Sequence, residues 1–561
     1  MTVAPPPVTE TRREQVFPIL EPAEVERLRR FGTPRSYAAG EALIRIGEAG
    51  HGLTLVVTGE VEVVQRDGLG HRRALVTYGP GSFMGELAQL TGRPVFVDAD
   101  ATTPVEAVLI PPDQLRAILI AEAELGERIM RALILRRVAL IETPASAPII
   151  IGRPGAADVL RLENFLERNG QPQRTLDPET DAEVAALIER SHIDPASLPI
   201  VLCPSGKILR NPSEGELARC LGLVSALDQT RLYDVAIVGA GPAGLAAAVY
   251  AGSEGLSVLA LDCRSFGGQA GASTRIENYL GFPTGITGMK LMARAHVQAQ
   301  KFGVETAIPD EVTGLVSEDG VFRVDLADGE TVHARTVVVA CGASYRRLAV
   351  PNLAQFEGAS VHYWASPAEA RLCAGQEVAL VGGGNSAGQA IVFLAGRTRK
   401  VSVLIRGGSL EAGMSRYLVD RITGLPNVEL VCHSEVTALD GAGAALEAVT
   451  WRDVRTGAQT RRAINHLFLF IGAEPNTEWL GACGAKTDDK GFLLTGPDAS
   501  TDHLLETSVP GVFAIGDVRS GSVKRVAAAV GEGAQVVAAL HAYLARNPAP
   551  QKNVARQSES S

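Results

Sequence analysis

Short apolar stretches separated by glycines run through the region from about residue 15 to 145. In "GHGLTLVVTGEVEVVQRDGLGHRRALVTYGPGSFMGELAQL", which starts at Gly50, apolar and polar positions alternate, and Gly turns recur at the roughly 8–12-residue spacing of a small β-barrel. A charged helical segment, "LGERIMRALILRRVALIE", follows. The pattern predicts a barrel of short strands closed by a helix over residues 15–145.

A second unit is predicted from 147 to 225, where apolar runs and helical periodicity alternate. "PIIIG" is typical of a buried strand, and Val159, Leu162, Phe165 and Leu166 follow it at helical spacing. A strand near "QRTLD", a helix at "DAEVAALIER", a hairpin at "SLPIVLCPSGKILRNPS" and a last helix complete the order β-α-β-α-β-β-α. This region is therefore predicted to be a small α/β domain.

From Leu232 onward the pattern changes to buried strands that lead into glycine turns and helices of small residues. Strand Val235–Val238 precedes the turn Gly239-Ala240-Gly241-Pro242-Ala243-Gly244, and Asp262 ends the next strand. The glycines allow a tight turn and close approach of a phosphate, and the helix N-terminus favours its charge. The acid stands where it can accept hydrogen bonds from a ribose. Strand, turn, helix and acid together predict a dinucleotide-binding fold.

A second such unit begins at Val378. Its strand leads into Gly382-Gly383-Gly384-Asn385-Ser386-Ala387, and its next strand, "KVSVLIR", ends in Arg406 with no acidic residue. An acid would repel a 2′-phosphate, whereas a guanidinium can pair with it, so NADPH is favoured over NADH. Arg416 is a candidate for a second cation at this phosphate.

Length and charge add limits to this picture. The 561 residues are enough for about three or four domains. The formal net charge of −10 and the lack of a long basic block give no support for nucleic-acid binding. The first residues contain no apolar core segment and no apolar run approaches the length of a membrane span, so a cytoplasmic, non-membrane protein is expected.

Seven cysteines are spread thinly along the chain, at positions 203, 220, 263, 341, 373, 432 and 483. There is no CxxC pair for zinc or for local dithiol chemistry, and no metal site is predicted. The odd count favours free thiols in a reducing compartment, with a bridge between cysteines distant in sequence as the less favoured alternative. Cys203 and Cys373 are interpreted as packed core residues.

The C-terminal half resembles the low-molecular-weight bacterial thioredoxin reductases. The resemblance rests on four segments in order: "FGGQAGASTRIENYLGFP", "VVVACGASYRRLAVP", "HLFLFIGAEPNTEWL" and "VPGVFAIGDVRSGSVKRVAAAVGEGA". It implies an FAD-binding domain over 230–345 and 461–545, an NADPH-binding domain over 346–460, and a homodimer. It further implies that Gly268, Gln269 and Asn278 lie against the flavin and that Asp517 binds the ribityl or pyrophosphate part of FAD, with Gly342 as a further cofactor-binding residue. By the same resemblance, the isoalloxazine ring is bordered by Lys524, Arg525 and Val526. The last three residues stand where the family usually has Arg-Gln-Ala.

The redox cysteines of that family are missing here. Aligned back from Gly382 without gaps, they fall at Ala365 and Ala368, and the nearby family acid falls at Glu369. An alanine methyl cannot attack a flavin or pass electrons to a thiol. Glu369 is the candidate catalytic residue, as a proton shuttle near the flavin, with a solvated or salt-bridged helix-start acid as the alternative.

The barrel resembles a cyclic-nucleotide-binding domain through "GSFMGELAQL". The resemblance implies that Gly85 and Leu87 offer backbone N–H groups and that Glu86 accepts from a ribose hydroxyl. The family places an arginine after the cassette's proline; here Arg93 precedes Pro94 and Val95 follows it. A nucleotide-like ligand is expected, or a barrel kept for packing or for sensing another compound.

The small domain resembles a thioredoxin or glutaredoxin fold, with Pro199 where that family keeps a cis-proline. The redox pair would follow the first strand, but "GRPGA" stands there, so this domain is interpreted as a docking surface or spacer.

The fold class predicted for the whole chain is α/β: two Rossmann-like three-layer domains preceded by a β-barrel and a small thioredoxin-like α/β domain. Three functions remain open. The first is an NADPH-oxidising, FAD-dependent oxidoreductase without a disulfide, whose flavin reduces a small oxidant, a quinone-like compound, oxygen or a one-electron protein. The second is a disulfide reductase that uses remote or partner cysteines, and the third is a sensor without turnover. A ligand in the barrel is expected to bias the orientation of the FAD and NADPH domains.

Overall fold

The computed structural model describes residues 12–548 apart from 49, 67–71, 86–94, 96, 143–146, 172, 182–183, 186–187, 190–193, 195–196, 204–206, 225–226, 274 and 319. Its sheets and helices match the predicted fold class, α/β with an antiparallel N-terminal region. Within the described residues, no helix combines the length and apolar character that a membrane span requires.

The N-terminal region is built from eight short strands. They are β1 (Thr33–Tyr37), β2 (Ala42–Ile44), β3 (Leu53–Thr58), β4 (Val61–Arg66), β5 (Arg72–Tyr78), β6 (Phe83–Met84), β7 (Asp98–Ala101) and β8 (Val105–Ile110). They form two four-stranded antiparallel sheets in the orders β1-β8-β3-β6 and β2-β7-β4-β5. This is the predicted barrel of short strands, whose inward side chains form an apolar cluster.

Helices close this barrel on one side. They are α1 (Arg13–Val16), α2 (Pro22–Arg29), α3 (Pro112–Ala121) and α4 (Ala123–Glu142). Leu28, Leu115, Ile118 and Ile129 are fully buried against the strands, because apolar residues at helical spacing give these helices an inward face.

The elements of the small domain for which the described residues give bounds are four strands and two helices. Its elements are β9 (Ile149–Ile151), α5 (Ala157–Arg168), β10 (Arg174–Leu176), β11 (Ile200–Leu202), β12 (Ile208–Arg210) and α6 (Glu214–Cys220). The sheet has the order β10-β9-β11-β12, with β9 and β10 parallel and the other neighbours antiparallel. The Leu198–Pro199 peptide is cis, at the expected proline. The helix predicted at "DAEVAALIER" lies largely outside the described residues.

The expectation of free thiols is wrong for one pair, because Cys203 and Cys220 form a disulfide. Cys203 directly follows β11 and Cys220 ends α6, and the fold brings their Cα atoms to 6.5 Å, within the usual range for a disulfide. Cys203 is fully buried, as predicted. The remaining cysteines, at 263, 341, 373, 432 and 483, are free.

The third region contains seven strands of one sheet and four helices. The strands are β13 (Leu232–Val238), β14 (Val258–Leu261), β15 (Glu305–Ala307), β16 (Val312–Glu318), β17 (Val321–Leu326), β18 (Thr331–Val339) and β29 (Val512–Ala514). The helices are α7 (Pro242–Ser253), α8 (Gly268–Gly271), α9 (Gly288–Lys301) and α14 (Val526–Arg546). The sheet is largely parallel, in the order β15-β14-β13-β18-β17-β16 with β29 beside β18. Two apolar clusters cover its two faces, which gives the predicted three layers.

The fourth region is inserted into the third. Its strands are β20 (Val361–His362), β21 (Glu377–Val381), β22 (Lys400–Leu404), β23 (Val428–Val431), β24 (Ser434–Ala442), β25 (Ala445–Asp453), β26 (Gln459–Arg462) and β27 (His466–Leu469). Its helices are α10 (Leu353–Phe356), α11 (Pro367–Leu372), α12 (Asn385–Ala395) and α13 (Arg416–Thr423). The strands form a parallel sheet in the order β20-β27-β21-β22-β23 and an antiparallel sheet β24-β25-β26.

The predicted boundary at residue 460 needs a correction. Strand β27 pairs with β20 and β21, so the inserted sheet includes residues 466–469, which the sequence prediction assigns to the FAD-binding domain. The chain returns through a two-stranded ribbon of β19 (Ala343–Tyr345) and β28 (Ala473–Pro475), which joins the two regions. Three short 3₁₀ helices, Glu478–Cys483, Gly496–Ala499 and Gly516–Val518, follow it.

Candidate cofactor-binding groove

A single groove of about 1370 Å³ runs between the third and fourth regions. It is larger than the roughly 300–1,000 Å³ of ordinary ligand pockets. The predicted residues that line it are Gly239, Gly241, Pro242, Ala243, Asp262, Gly268, Gln269, Asn278, Gly342, Asn385, Ser386, Asp517, Lys524, Arg525 and Val526. The fold therefore brings most of both predicted nucleotide sites to one cleft.

The first glycine turn begins directly after β13. Gly239 has φ +113°, and a Cβ there would collide with the carbonyl of Ala340, so only glycine is accommodated. Gly244 does not line the groove; its Cα faces the carbonyl of Gly239, which permits close packing of helix on strand. Gly241 is the N-cap of α7 and Pro242 its first residue, and no side chain caps this end within the described structure. The free amides of α7 therefore point to the groove.

Asp262 lies one residue beyond β14 and is held by backbone amides. Its carboxylate accepts hydrogen bonds from Ala240 N at 2.9 Å, Arg264 N at 3.0 Å and Ser265 N at 3.2 Å. Burial raises the pKa of this carboxyl, while the amide hydrogen bonds act in the opposite direction. The acid is thus fixed at the edge of the groove, where a ribose would reach it.

On the opposite wall, the 3₁₀ helix Gly516–Val518 carries Asp517. Burial raises the pKa of Asp517, and Lys524 donates a hydrogen bond to the Asp517 carbonyl. Glu532 fixes this turn, because its carboxylate accepts hydrogen bonds from Gly516 N and from Arg519 Nη2, both at 2.6 Å. Arg525 and Val526 follow as the N-cap and first residue of α14. Lys524, Arg525 and Val526, which stand in place of the family's usual Arg-Gln-Ala, all line the groove, and their place beside the isoalloxazine ring stays a prediction.

The second glycine turn leads into α12, whose N-cap is Gly384. Gly382 has φ +143° and lies against the Phe470 backbone, so a side chain there would clash. Asn385 Oδ1 accepts hydrogen bonds from Ser415 N at 2.7 Å and Ser415 Oγ at 2.8 Å, which fixes the loop above the turn. Ala387 is buried behind it. Asn385 and Ser386 reach the groove, whereas Gly382, Gly384 and Ala387 form its support.

The two predicted cations of this second site lie outside the groove lining. Arg406 is exposed just beyond β22. Arg416 starts α13, where its Nε contacts Asp420 Oδ1 at 2.9 Å. Arg406 is therefore the cation that remains open for a phosphate, while Arg416 already has an acidic partner.

The segment that replaces the family's cysteines forms part of the groove wall. Trp364 and Ala365 line the groove, and Glu369 lies behind them in the first turn of α11, only 4% exposed. Glu369 Oε1 accepts from Trp364 Nε1 at 2.9 Å, and Oε2 accepts from Ser366 N at 2.9 Å and from the Ser366 hydroxyl. The expected alternative, a solvated or salt-bridged acid at a helix start, has the position right, because Glu369 lies in the first turn of α11, but the carboxylate is buried and hydrogen-bonded rather than solvated. Because both oxygens are engaged and Glu369 does not line the groove, the geometry favours a positioning role over the predicted proton shuttle.

In the barrel, only part of the predicted cassette can be placed. Gly85 is described, and its carbonyl accepts from Arg136 Nη1 at 2.9 Å; Val95 is buried. Glu86, Leu87 and Arg93 lie outside the described residues. Among the residues that the structure does describe, no group of three or more His, Cys, Asp or Glu could hold a metal.

Several groove residues were not predicted from the sequence. Arg168 and Glu214 come from the small domain, and Tyr345, Tyr363 and Trp364 supply aromatic walls. The sequence did contain a signal for the aromatic residues, because Tyr345 lies in one of the four family-like segments. Tyr363 and Trp364 lie directly before Ala365, where the family's first cysteine would stand. Arg168 and Glu214 belong to another domain, and no local pattern marks them.

The groove fits two dinucleotides. The N-termini of α7 and α12, both without a side-chain cap in the described structure, open on it and can hold one pyrophosphate each. The residues that follow the second strand of each unit differ: Asp262 lines the groove and suits a free ribose, whereas Arg406, exposed outside the groove lining, suits a 2′-phosphate. Fold and site therefore define a flavin- and nicotinamide-dependent oxidoreductase.

Comparison with known proteins places the chain in a family. Residues 233–533 match the pyridine nucleotide-disulphide oxidoreductase model, and residues 34–122 match the cyclic nucleotide-binding domain model. The chain belongs to the pyridine nucleotide-disulphide oxidoreductase family and carries an N-terminal cyclic nucleotide-binding domain. The predicted cofactors, FAD and NADPH, are those of the family's thioredoxin reductases.

The similar proteins each match a little over half of this chain. An alkyl hydroperoxide reductase component of Pseudomonas putida is 33% identical over 322 residues, which are 57% of this chain and 59% of that protein. Thioredoxin reductase of Treponema pallidum is 33% identical over 56% of this chain and 97% of its own length. The structure of Lactococcus lactis thioredoxin reductase in its FR conformation matches with a TM-score of 0.52, 28% identity, and coverage of 56% of this chain and 99% of that one.

Proposed function

We propose that the protein oxidises NADPH and passes the electrons through FAD to an acceptor without an active-site disulfide. One observation carries this proposal. Asn385 and Ser386 of the second nucleotide turn line the same groove as Asp262, Asp517 and Val526 of the first site. Two nucleotides bound at these turns share one cleft, which is the condition for contact between their rings.

The residues have separate tasks in this proposal. The N-terminus of α7 holds the FAD pyrophosphate and Asp262 accepts from the adenosine ribose. Lys524 and Arg525 set the charge beside the flavin, and Arg406 pairs with the 2′-phosphate of NADPH. When bound, FAD accepts two electrons from NADPH and gives them to an oxidant.

The absence of sulfur at the usual site supports direct transfer to the acceptor. Ala365 lines the groove wall and Ala368 follows in α11, so neither position offers a thiolate. Of the free cysteines, Cys263 and Cys341 line the groove. Burial raises the pKa of Cys263 to about 11 and that of Cys341 to about 12, which keeps both as thiols at neutral pH. Glu369 contributes by holding Trp364 in the wall.

The test is an anaerobic titration of the purified protein with NADPH, followed by the flavin absorbance. We expect a lower concentration of NADPH than of NADH to bleach the bound FAD, and we expect the flavin to recover its colour when an oxidant is added. Arg406→Gln should raise the NADPH concentration needed by about tenfold and leave that of NADH unchanged, since one charge-assisted contact is lost. Flavin that stays oxidised under NADPH would contradict the proposal and favour a sensor.

A second candidate has one observation in its favour. The Cys203–Cys220 disulfide in the small domain gives the chain a sulfur pair outside the usual site, as a disulfide reductase would need. Alkylation of the reduced protein should then abolish thioredoxin-coupled turnover. Under the first proposal, alkylated protein still reduces its acceptor.

The barrel is proposed to regulate this activity, as a nucleotide-like ligand site, in a cytoplasmic homodimer. Support comes from the matching domain model and from the Arg136 bridge, which ties Gly85 of the cassette to helix α4. Titration with cAMP and cGMP should change the rate at which NADPH bleaches the flavin. Equal rates with and without ligand would leave the barrel as scaffold, and sedimentation would give the oligomeric state.

A further inference from the structure

The small domain contributes an arginine to the cofactor groove. Helix α5 ends at Arg168, and this side chain lines the groove together with residues of the two nucleotide-binding regions. Asn169, the residue after Arg168, holds the small domain in this place, because its Nδ2 donates a hydrogen bond to the Arg264 carbonyl at 3.0 Å. Glu214, at the start of α6, faces Arg264 Nε at 4.0 Å. Arg168 is therefore positioned by an interface between domains.

The guanidinium of Arg168 is stacked but not hydrogen-bonded. Its Cζ lies 4.6 Å from the centroid of the Trp364 ring. Within the described part of the chain, its N–H groups have no hydrogen-bond acceptor and no ion-pair partner. Glu369, the carboxylate behind this wall, already accepts hydrogen bonds from Trp364 and Ser366. The planar guanidinium thus lines the groove without a hydrogen-bonded anion, although the carboxylates of Glu369 and Glu214 lie near enough to favour its charge.

Two further aromatic rings line the groove with Trp364 and Arg168. Tyr345 and Tyr363 are stacked with their centroids 6.1 Å apart, and both line the groove with Trp364. Burial raises the pKa of Tyr345 to about 12, so it remains neutral beside Arg168. The site therefore combines apolar, flat walls with one cation. This is the chemistry that recognises an aromatic ring carrying a carboxylate or sulfonate.

We propose that Arg168, Trp364, Tyr345 and Tyr363 form the subsite for the electron acceptor, and that the acceptor is a planar aromatic oxidant of the quinone class bearing an acidic group. The subsite stands at the segment where the family's cysteines are missing, so a small molecule takes the place of the sulfur pair. The transfer of electrons to this acceptor rests on the proposed function, whereas the binding of the acceptor at these four residues does not.

The reaction balances without a further reagent. NADPH, one proton and the quinone give NADP⁺ and the quinol: NADPH supplies two electrons and one proton, and solvent supplies the second proton. The C=O bonds of the quinone become C–OH bonds. Arg168 takes no proton; it pairs with the acidic substituent and orients the ring.

The experiment uses the full-length holoprotein and a matched pair of probes. Binding is measured with 2-naphthalenesulfonate, which is not an oxidant, by calorimetry and by quenching of tryptophan fluorescence. Turnover is measured with 1,4-naphthoquinone-2-sulfonate and with uncharged 1,4-naphthoquinone. The variants are Arg168→Gln and Arg168→Lys, and Arg210→Gln, an exposed arginine of the same domain, is the control.

We expect Arg168→Gln to weaken 2-naphthalenesulfonate binding by about tenfold and to raise KM for the sulfonated quinone by a similar factor, since a charge-assisted pair is lost. Arg168→Lys should restore part of the affinity, and Arg210→Gln should bind as the unmodified protein does. KM for uncharged naphthoquinone should rise less in Arg168→Gln than KM for the sulfonated quinone. Arg210→Gln should leave both KM values and the anaerobic bleaching by NADPH within about twofold of those of the unmodified protein.

Three results would overturn the subsite. One is equal sulfonate affinity in the unmodified protein and Arg168→Gln. Another is the same loss for charged and uncharged quinones, which would mean that the charge is not read. The third is loss of FAD from Arg168→Gln, which would assign the guanidinium to the FAD phosphates. Failure of NADPH to bleach the flavin would contradict the proposed function but not the binding subsite, because sulfonate binding is measured without turnover.

Discussion

The indole N–H of Trp364 is fixed by Glu369, whose Oε1 accepts it at 2.9 Å. The same carboxylate accepts from the backbone N–H of Ser366, three residues before it, as an acid does in the first turn of a capped helix. One buried side chain therefore holds both the start of α11 and the aromatic wall of the groove.

We expect Glu369→Ala to lower the apparent free energy of unfolding by about 2 kcal/mol, because a buried indole donor and a helix-start amide lose their acceptor. Urea denaturation followed by fluorescence measures this, and the folded variant should also show altered tryptophan emission. Glu447→Ala, on an exposed strand position of the same region, is the control and should stay within about 0.5 kcal/mol. Equal stability of both variants would show that the carboxylate is not structural.

Two glycines of α14 give a matched pair. A Cβ on Gly533 would lie 2.5 Å from the Ala243 carbonyl and 2.7 Å from Ala246 Cβ in α7, whereas a Cβ on Gly531 would meet nothing within 4 Å. We expect Gly533→Ala to push α7 from its place, costing about 2 kcal/mol and lowering the FAD content per chain. Gly531→Ala should be neutral or stabilising by up to about 1 kcal/mol. The ratio of flavin to protein absorbance and the melting temperature measure both; similar losses in the two variants would refute the packing argument.

The nucleotide-binding turns could be predicted because their determinants are local. Strand, glycines, helix and Asp262 stand within one short stretch, and the structure brings them to one groove. The barrel strands could be predicted for the same reason, since the alternation of apolar and polar residues repeats between Gly turns.

What could not be predicted depends on contacts between distant segments. Strand β27 joins the inserted sheet because it pairs with β20 and β21, about 100 and 90 residues earlier, and nothing in "HLFL" specifies that partner. Cys203 and Cys220 meet only when α6 lies against the sheet. Arg168 enters the groove through a domain interface, for which a single sequence carries no periodic signal.

The free cysteines should differ in how readily a reagent reaches them. Burial raises the pKa of Cys341 to about 12 and that of Cys373 to about 11, and their thiols donate to the Asn476 and Glu369 carbonyls at 2.9 and 3.2 Å. Burial, together with the nearby Asp262, also raises the pKa of Cys263 to about 11, although its side chain is exposed. At about pH 7.5 all three are therefore thiols, and access rather than thiolate content decides which one reacts.

We expect N-ethylmaleimide at that pH to modify the exposed Cys263 slowly while Cys341 and Cys373 stay unmodified, with no change in bleaching by NADPH. Peptide mass spectrometry measures the sites, and the same reagent in urea serves as the control in which all free cysteines react. Labelling of Cys341 as fast as Cys263 would mean that Cys341 is as accessible as Cys263, the exposed cysteine of the groove lining.

A buried histidine pair should make the inserted region sensitive to acid. His362 Nε2 lies 3.1 Å from His466 Nδ1, and burial, with the second ring beside it, lowers the pKa of His362 to about 3. The unfolded chain takes up this proton near pH 6.5, while the folded chain stays neutral down to about pH 3. Protons therefore favour the unfolded state throughout that window. The stability that the folded protein gains by keeping His362 neutral is fully present above about pH 6.5. This stability is lost as the pH falls, by up to about 1.4 kcal/mol per pH unit.

We expect His362→Phe to flatten the dependence of the free energy of unfolding on pH between about pH 7 and 5, by about the slope that corresponds to the uptake of one proton. This expectation holds whatever the effect of the substitution on stability at neutral pH. The exposed His51→Phe is the control and should keep the slope of the unmodified protein. Urea midpoints at several pH values, followed by fluorescence, measure the difference. Parallel curves for His362→Phe and the unmodified protein would mean that the buried ring is protonated in the folded state as readily as in the unfolded chain, and the neutral-pair assignment would then be wrong.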